Sequence, residues 1–394
     1  DQARALLVAA DKVRLGLAGS VRDFRLSEDC DGNADVLARD AHGGGIAYTG
    51  APAEAVNYVS AHDNETLYDN TVWKMPPSLF SPEERARANW LCSAVVLLAH
   101  GVPFLHAGDE VLRSKSLDRD SYNSGDWFNA LDFDGERSAF GSGLPPHSKN
   151  GEKWDLMRPL LEDPSLRPTR EMAAATTAKL LELLRVRRST PLIGLWDAAD
   201  VLEKVTFPCC GPSQPPGVVV MQTRNGPPAG AAAGAAGTLC PNLARVVVVL
   251  SARLEECRVP VCPPGGGGLR LHPLQAASED ARTRTARFDS ETGEVVSSGC
   301  RRVRGAAARQ GGLARRWRRT PGGRRVPLDL RATGRGAAPR ESCRGLPGQR
   351  LAARVSRSRL DSAPSLPRLP PTSPPPSPSR FPPLARRRSA GRAA

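Results

Sequence analysis

The sequence predicts an α/β fold, followed by a β-rich region and an arginine- and proline-rich tail. Two short apolar runs, at residues 56–61 and 102–105, each end in polar residues, and a helical pattern separates them. Strand, helix and strand in this order form the βαβ unit of a parallel sheet. Short β-branched runs broken by Gly and Pro follow residue 190, which favours a small β domain.

The first apolar run has the composition of a buried strand. From Val56 to Ala61, β-branched and aromatic residues recur in alternation. His62, Asp63 and Asn64 follow at its carboxyl end, where barrels of alternating strands and helices carry their catalytic groups. An ordinary polar turn after a buried strand is the alternative interpretation.

A crossover helix is predicted between the two runs. Ser81 is placed as its N-cap, Pro82 as its first residue and Glu84 as the partner in a capping box. The second run then ends in a polar string from His106 to Glu110. Because both strand ends belong to one parallel sheet, we expect their polar residues to share one rim.

Later elements are predicted from the same kinds of pattern. An apolar stripe predicts a helix over residues 170–188. Four β-rich runs predict a small antiparallel sandwich, and the insert GPPAGAAAGAAG at 226–237 predicts a flexible loop. The four runs are VLEKVTF (201–207), GVVVMQT (217–223), ARVVVVL (244–250) and LRLHPLQ (269–275).

The segments YVSAHDNETL (58–67) and GVPFLHAGDEVLRSKSLDRDSYNSGDWFN (101–129) resemble the pullulanase and limit dextrinase branch of the α-amylase superfamily. The similarity is strongest to plant and algal starch-debranching forms, and extends to about residue 294. It implies the late part of a (β/α)8 TIM barrel at 1–190, followed by an all-β sandwich domain at 191–300. It also implies retaining hydrolysis of α-1,6 branch points in pullulan, limit dextrins or starch, in the plastid stroma.

The resemblance also implies roles for individual residues. Asp63 corresponds to the carboxylate that stabilises the transition state, and His62 to the histidine that binds the sugar being cleaved. An oxocarbenium-like transition state needs such polar groups, because their bonds to the sugar hydroxyls strengthen as the ring distorts. We expect a further set of residues to bind neighbouring glucose units, although a solvated loop held by its own salt bridges is the alternative: Asn64, Arg113, Asp118, Arg119, Asp120, Tyr122 and Asn123.

The family's nucleophilic Asp and general-acid Glu lie on earlier barrel strands than those recognised here. Neither role is therefore assigned to a residue of this chain, and Asp109, Glu110 and Glu65 are not placed in them. We interpret the chain as the C-terminal part of an enzyme, inactive alone. A non-catalytic α-glucan-binding or regulatory module is the alternative function.

Charge is distributed very unevenly along the chain. Residues 301–394 contain 24 arginines, no lysine and three acidic residues, a formal charge of +21, whereas the other residues carry −7. This composition predicts a disordered tail. Out-of-frame translation of a GC-rich gene explains it better than binding to nucleic acid or an anionic membrane. We therefore expect neither partner.

We expect no cofactor and no metal. The nine cysteines lack the paired spacing of a zinc site, with Cys209 and Cys210 adjacent and Cys257 and Cys262 without a nearby histidine pair. The string DCDGN from Asp29 is similar to a calcium loop, but Ala34 stands where that loop needs glycine. A polar surface turn is the preferred interpretation.

Overall fold

The structure, a computed structural model, describes residues 2–226 and 237–297, together with the backbone of two short strands near residues 317 and 327. The chain divides into two compact units, Asp1–Gln310 and Gly311–Ala394. The described residues of the second unit form an antiparallel pair, β11 (Trp317–Arg319) with β12 (Arg325–Pro327). The remainder of 301–394, and residues 227–236 of the loop predicted at 226–237, lie outside the described residues.

The first half of the larger unit is mainly helical. Two short strands pair antiparallel after the first helix, and two others pair parallel across α2 and α3. The elements are α1 (Gln2–Leu17), β1 (Arg25–Glu28), β2 (Ala34–Leu37), β3 (Val56–Asn57), α2 (Leu67–Lys74), α3 (Pro82–Leu98), β4 (Val102–Pro103), α4 (Asp126–Asn129), α5 (His147–Asn150), α6 (Trp154–Leu161) and α7 (Arg170–Arg188).

The predicted βαβ unit is confirmed. β3 and β4 are parallel, with Val56 opposite Val102. The capping box at the start of α3 is present, because the Ser81 hydroxyl accepts from the Glu84 amide and the Glu84 carboxylate accepts from the Ser81 amide. Gly101 has a φ of +93°, and a Cβ there would lie 2.6 Å from the Pro52 carbonyl oxygen, so this turn requires glycine.

The predicted burial of the first strand is wrong. Only Val56 and Asn57 lie in β3, and Val56 and Tyr58 are 49% and 58% exposed. β3 pairs with β4 alone, and no other described strand joins this sheet. The alternating pattern therefore predicts the strand itself. Whether the strand is buried depends on the other segments that pack against the sheet, and the pattern does not show these. Tyr58 instead packs edge-to-face against exposed Phe104, with ring centroids 6.4 Å apart.

The second half contains two antiparallel three-stranded sheets, with strand orders β5-β6-β7 and β8-β10-β9. The helix predicted over residues 170–188 is α7, and Thr169 caps its N-terminus. No described helix has both the length and the apolar character needed to cross a membrane. The elements are α8 (Ala198–Lys204), β5 (Val205–Thr206), β6 (Val218–Arg224), β7 (Arg245–Ser251), β8 (Cys257–Pro260), α9 (Pro273–Ala276), α10 (Ala281–Arg284), β9 (Arg287–Asp289) and β10 (Glu294–Ser297).

β6 is buried on both faces and joins two cores. Val218 and Val220 pack with Val259 of the second sheet. Val219 and Met221, which point the other way, pack into the core that contains α1 and α3. The β region is therefore a pair of packed sheets, one of which also covers the helical half of the same unit.

Two of the predicted β runs are wrong in detail. Residues 201–204 belong to α8, because the Asp197 carboxylate caps this helix at the Ala199 amide, 2.7 Å away. The run 269–275 forms no strand, because Pro273 begins the short helix α9 and the His272 side chain caps it. Short, mixed strands at 257–260, 287–289 and 294–297 complete the second sheet instead.

Candidate functional site

His62, Asp63 and Asn64 form an exposed turn just after β3, which we call the rim. The side chains of His62 and Asp63 are 87% and 77% exposed, and His62 Nε2 lies 3.5 Å from Asp63 Oδ1. Asn64 adopts a left-handed φ of +61°, which asparagine tolerates better than most residues. The His62 ring and the Asp63 carboxylate are therefore open to a ligand.

A buried carboxylate holds the loop that follows β4 against α2. Asp69 Oδ1 accepts from the Ser114 hydroxyl at 2.5 Å, and Oδ2 accepts from the Lys115 and Leu117 amides at 2.7 and 3.3 Å. Burial raises the pKa of Asp69 to about 6, although these bonds oppose the shift. The α2 helix thereby fixes the path of residues 114–117.

Two side chains of this loop tie it to the rim. The buried Lys115 donates from Nζ to the His62 carbonyl oxygen at 3.0 Å. Arg119 donates from Nε to Asn64 Oδ1 at 3.2 Å. The two predicted strand ends therefore do meet, through contacts to the backbone of His62 and the side chain of Asn64. The sequence analysis missed Lys115, because nothing in its neighbours marks a lysine as buried.

The predicted sugar-binding residues fall into two groups. Arg119, Asp120, Tyr122 and Asn123 are exposed, as are the three rim residues. Arg113 and Asp118 are directed into the protein. Arg113 Nη2 donates to the Asn129 carbonyl oxygen at 2.8 Å, and the fully buried Asp118 accepts from the Asp120 amide at 2.9 Å and from Asn150 Nδ2 at 3.0 Å.

Exposed aromatic rings lie on the same loop. Tyr122 is 84% exposed, and Lys149 Nζ lies 4.7 Å from its ring centroid while pairing with Asp120 Oδ1 at 3.0 Å. Trp127 is 65% exposed and donates from Nε1 to the Ser142 carbonyl oxygen at 3.2 Å. Both rings are therefore largely exposed on the loop that carries the predicted sugar-binding residues.

A group of polar residues lies behind the rim. Ser60 Oγ is 3.1 Å from His106 Nδ1, and Arg113 Nη1 is 3.5 Å from His106 Nε2. Burial and the Arg113 charge lower the pKa of His106. Burial and the Glu110 charge raise the pKa of Asp109 to about 7. Pattern analysis identified the string 106–110, but not which members would be desolvated.

One group of possible metal ligands occurs among the described residues, away from these segments. One side-chain ligand atom from each of Asp11, Cys30 and His42 lies within 4.8 Å of the other two. The sequence analysis missed this group because its members come from three separate segments.

Comparison with known proteins shows which class of protein this chain resembles. Residues 135–297 match the family model of the C-terminal domain of pullulanase-type α-1,6-glucosidases. This domain follows the rim in the chain and includes α7 and both three-stranded sheets. The chain is thus a relative of the pullulanases.

Individual relatives agree with this class. The chain is 41% identical to chloroplastic Pullulanase 1 of Arabidopsis thaliana over 292 residues, which are 73% of this chain and 30% of that protein. It is 38% identical to the pullulanase of Klebsiella aerogenes over 238 residues, 59% of this chain and 21% of that one. The chain therefore spans less than a third of the length of these relatives.

Solved structures show the same relationship. The crystal structure of PulA from Klebsiella oxytoca superimposes with a TM-score of 0.68 and 31% identity, covering 75% of this chain and 27% of that one. Klebsiella pneumoniae pullulanase complexed with maltotriose gives a TM-score of 0.64 and 32% identity, covering 75% and 27% of the respective chains.

Proposed function

We propose that this chain supplies the late barrel strands and the C-terminal domain of a retaining hydrolase that cleaves α-1,6 branch points in α-glucans. The observation that carries the proposal is the junction at the rim, where Lys115 and Arg119 bring the loop after β4 against residues 62–64. Exposed polar groups and exposed rings then lie on two adjoining segments, the arrangement that binds and orients a sugar chain.

Each rim residue has a chemical role in this proposal. As the glycosidic bond breaks, positive charge develops on the sugar ring and the ring flattens. The Asp63 carboxylate accepts hydrogen bonds from ring hydroxyls, and His62 donates one, so both contacts strengthen in the transition state. Asn64 and Arg119, bonded to each other, fix the edge of the subsite. Tyr122 and Trp127 stack on neighbouring glucose units.

The nucleophile and the general acid remain unassigned within residues 1–394. Of the nearby carboxylates, Asp69 and Asp118 are fully buried and hold the loop. The Glu110 carboxylate accepts from the Gly108 amide at 2.8 Å. We therefore propose that the chain expressed alone does not release reducing ends from pullulan. The chloroplastic relative supports a plastid location for the whole enzyme.

Maltotriose binding tests the substrate class directly. We expect purified residues 1–394 to bind maltotriose by calorimetry, and Trp127→Ala to weaken binding, because stacking on an aromatic ring contributes about 1 kcal/mol. The matched control is Trp196→Ala, which removes a tryptophan that is 58% exposed and lies outside the loop. Equal binding by both variants would contradict the placement of the sugar on this loop.

Non-catalytic α-glucan binding is the second candidate function. The exposure of Tyr122 and Trp127 favours it, because exposed aromatic rings can bind a sugar chain without a catalytic carboxylate nearby. Pullulan hydrolysis by the longest in-frame protein containing residues 1–294 separates the two functions. Activity that Asp63→Ala abolishes supports the hydrolase, whereas maltotriose binding without hydrolysis by that protein supports the binding module.

A further inference from the structure

The cluster of Asp11, Cys30 and His42 combines three kinds of metal ligand. Asp11 belongs to α1, Cys30 lies in the turn between β1 and β2, and His42 follows β2 in a short 3-10 turn (Ala41–Gly43). Asp11 and Cys30 are buried, and the His42 side chain is 8% exposed. Carboxylate oxygen, thiolate sulfur and imidazole nitrogen are the donors that Zn²⁺ takes in proteins.

The two oxygens of Asp11 have different surroundings. Oδ1 accepts from Arg14 Nη1 at 2.8 Å, in a pair that is fully buried. Oδ2 lies 3.0 Å from His42 Nε2 and accepts from the Cys30 amide at 2.8 Å. A carboxylate held on one oxygen by a second residue, with the other oxygen turned towards a histidine and a cysteine, has the support that metal-ligating carboxylates usually receive.

The charges around the cluster suit a divalent cation. A carboxylate and a thiolate together neutralise Zn²⁺, and the buried Asp29, next to Cys30, offsets the charge of Arg14.

The backbone holds the three donors in place. His42 has a φ of +51° and a ψ of 36°, a left-handed conformation that is unfavourable for a residue with a side chain. The turn that carries Cys30 is closed by the Asp29 carboxylate, which accepts from the Asp31 and Asn33 amides at 2.9 Å each. Strained backbone of this kind occurs where a ligand is clamped.

We propose that Asp11, Cys30 and His42 bind one zinc ion, with the fourth position open to water. Zinc would replace the direct bond between His42 and Asp11 and would join α1 to the two segments that carry Cys30 and His42. Arg14 also donates to the Cys209 carbonyl oxygen at 2.7 Å, so the hydrogen bonds around the site reach the segment before β6. The expectation of no metal rested on paired cysteines, whereas this site uses a single one.

Zinc and cobalt titrations of the full chain, after treatment with a chelator, test the proposal. We expect one zinc ion per chain, a rise in the unfolding temperature on zinc addition, and a sulfur-to-cobalt charge-transfer band when Co²⁺ replaces zinc. Cys30→Ser should abolish that band. Cys30→Ser and His42→Gln should each weaken zinc binding by on the order of 100-fold or more. Losing a residue that only supports a metal ligand weakens binding by up to about 100-fold, and losing the ligand itself should cost at least as much.

Other thiols of the chain provide the controls. Cys92→Ser, and Cys209→Ser combined with Cys210→Ser, should leave the stoichiometry and the cobalt band unchanged. Circular dichroism of each variant, recorded without metal, separates lost ligation from lost folding. The proposal is wrong if the unaltered chain shows no cobalt–sulfur band, if it binds no zinc at micromolar concentration, or if a folded His42→Gln variant binds zinc as tightly as the unaltered chain.

Discussion

At the scale of single residues, Asp63 differs from the other carboxylates around it in its exposure. Asp69, Asp109 and Asp118 are buried, and Asp69 and Asp118 accept hydrogen bonds that hold the loop after β4. The Asp63 side chain, in contrast, is 77% exposed. His62 Nε2 lies 3.5 Å from its Oδ1 atom. A carboxylate so open to solvent retains its capacity to accept hydrogen bonds from a substrate.

We make this prediction for the longest protein that contains residues 1–294 in its reading frame. In that protein, we expect Asp63→Asn to lower kcat for pullulan by several orders of magnitude and to change KM little. A contact that strengthens mainly in the transition state appears in kcat rather than in binding. His62→Ala should cost less, because one hydrogen bond contributes roughly 0.5–3 kcal/mol. Steady-state kinetics give both values, and Asp134→Asn, at an exposed position outside the rim, is the control. Unchanged kcat in the Asp63 variant would remove Asp63 from the site.

Asp109 predicts a pH dependence of stability. Its pKa rises from 3.8 to about 7 on folding, so the folded chain retains a proton that the unfolded chain has lost. The free energy of unfolding therefore falls as pH rises through this interval, and levels off above about pH 7. Asp109→Asn, which cannot ionise, should be more stable than the unaltered chain at pH 8, and the difference should shrink towards pH 4.

Urea denaturation between pH 4 and pH 8 measures this effect. The gain at pH 8 should reach a few kcal/mol, because each unit of pKa shift corresponds to about 1.36 kcal/mol. Asp134→Asn should show no such change with pH. A stability difference between Asp109→Asn and the unaltered chain that stays constant across this range would mean that Asp109 ionises normally in the folded state.

At the scale of elements, α2 positions the loop after β4 through the Asp69 carboxylate. Asp69→Asn keeps one acceptor oxygen but turns an amide donor towards the groups that Asp69 bonds. Leaving a buried donor unpaired costs about 1–3 kcal/mol. We expect the variant to unfold at lower urea concentration, and hydrogen exchange of the Lys115 and Leu117 amides to accelerate.

The exposed Asp126→Asn is the matched control, because it makes the same chemical change outside this contact. It should leave the urea midpoint and the exchange of both amides unchanged. If Asp69→Asn exchanges the two amides at the rate of the unaltered chain, the carboxylate does not hold the loop.

Elements with strong local signals could be predicted from the sequence. The capping box at Ser81 and the apolar stripe of α7 place those two helices correctly, because caps and periodicity act within a few residues. The exposure of Val56 and the burial of Lys115 and Asp118 could not be predicted, because burial depends on which distant segments pack together. The same limit hid the grouping of Asp11, Cys30 and His42.

At the scale of the whole molecule, the change in charge along the chain falls just after the last described strand of the larger unit. This strand, β10 (Glu294–Ser297), lies between β8 and β9, so it completes a sheet. The segment beyond residue 300 carries +21 and fourteen prolines. We propose that this segment does not contribute to the stability of the larger unit, because so charged a segment cannot bury enough apolar surface to offset its ordering entropy.

Limited trypsin digestion of residues 1–394 tests this proposal. We expect cleavage within the arginine-rich segment first, and then a stable product that ends near residue 300, detected by mass spectrometry. We expect cleavage there despite the β11–β12 pair, since a two-stranded sheet by itself is at best marginally stable in water. Deleting residues 301–394 should leave the unfolding temperature unchanged and make the chain acidic, because the remaining residues carry −7. A resistant product that extends well past Trp317 would show instead that the segment packs, and out-of-frame translation would no longer explain its composition.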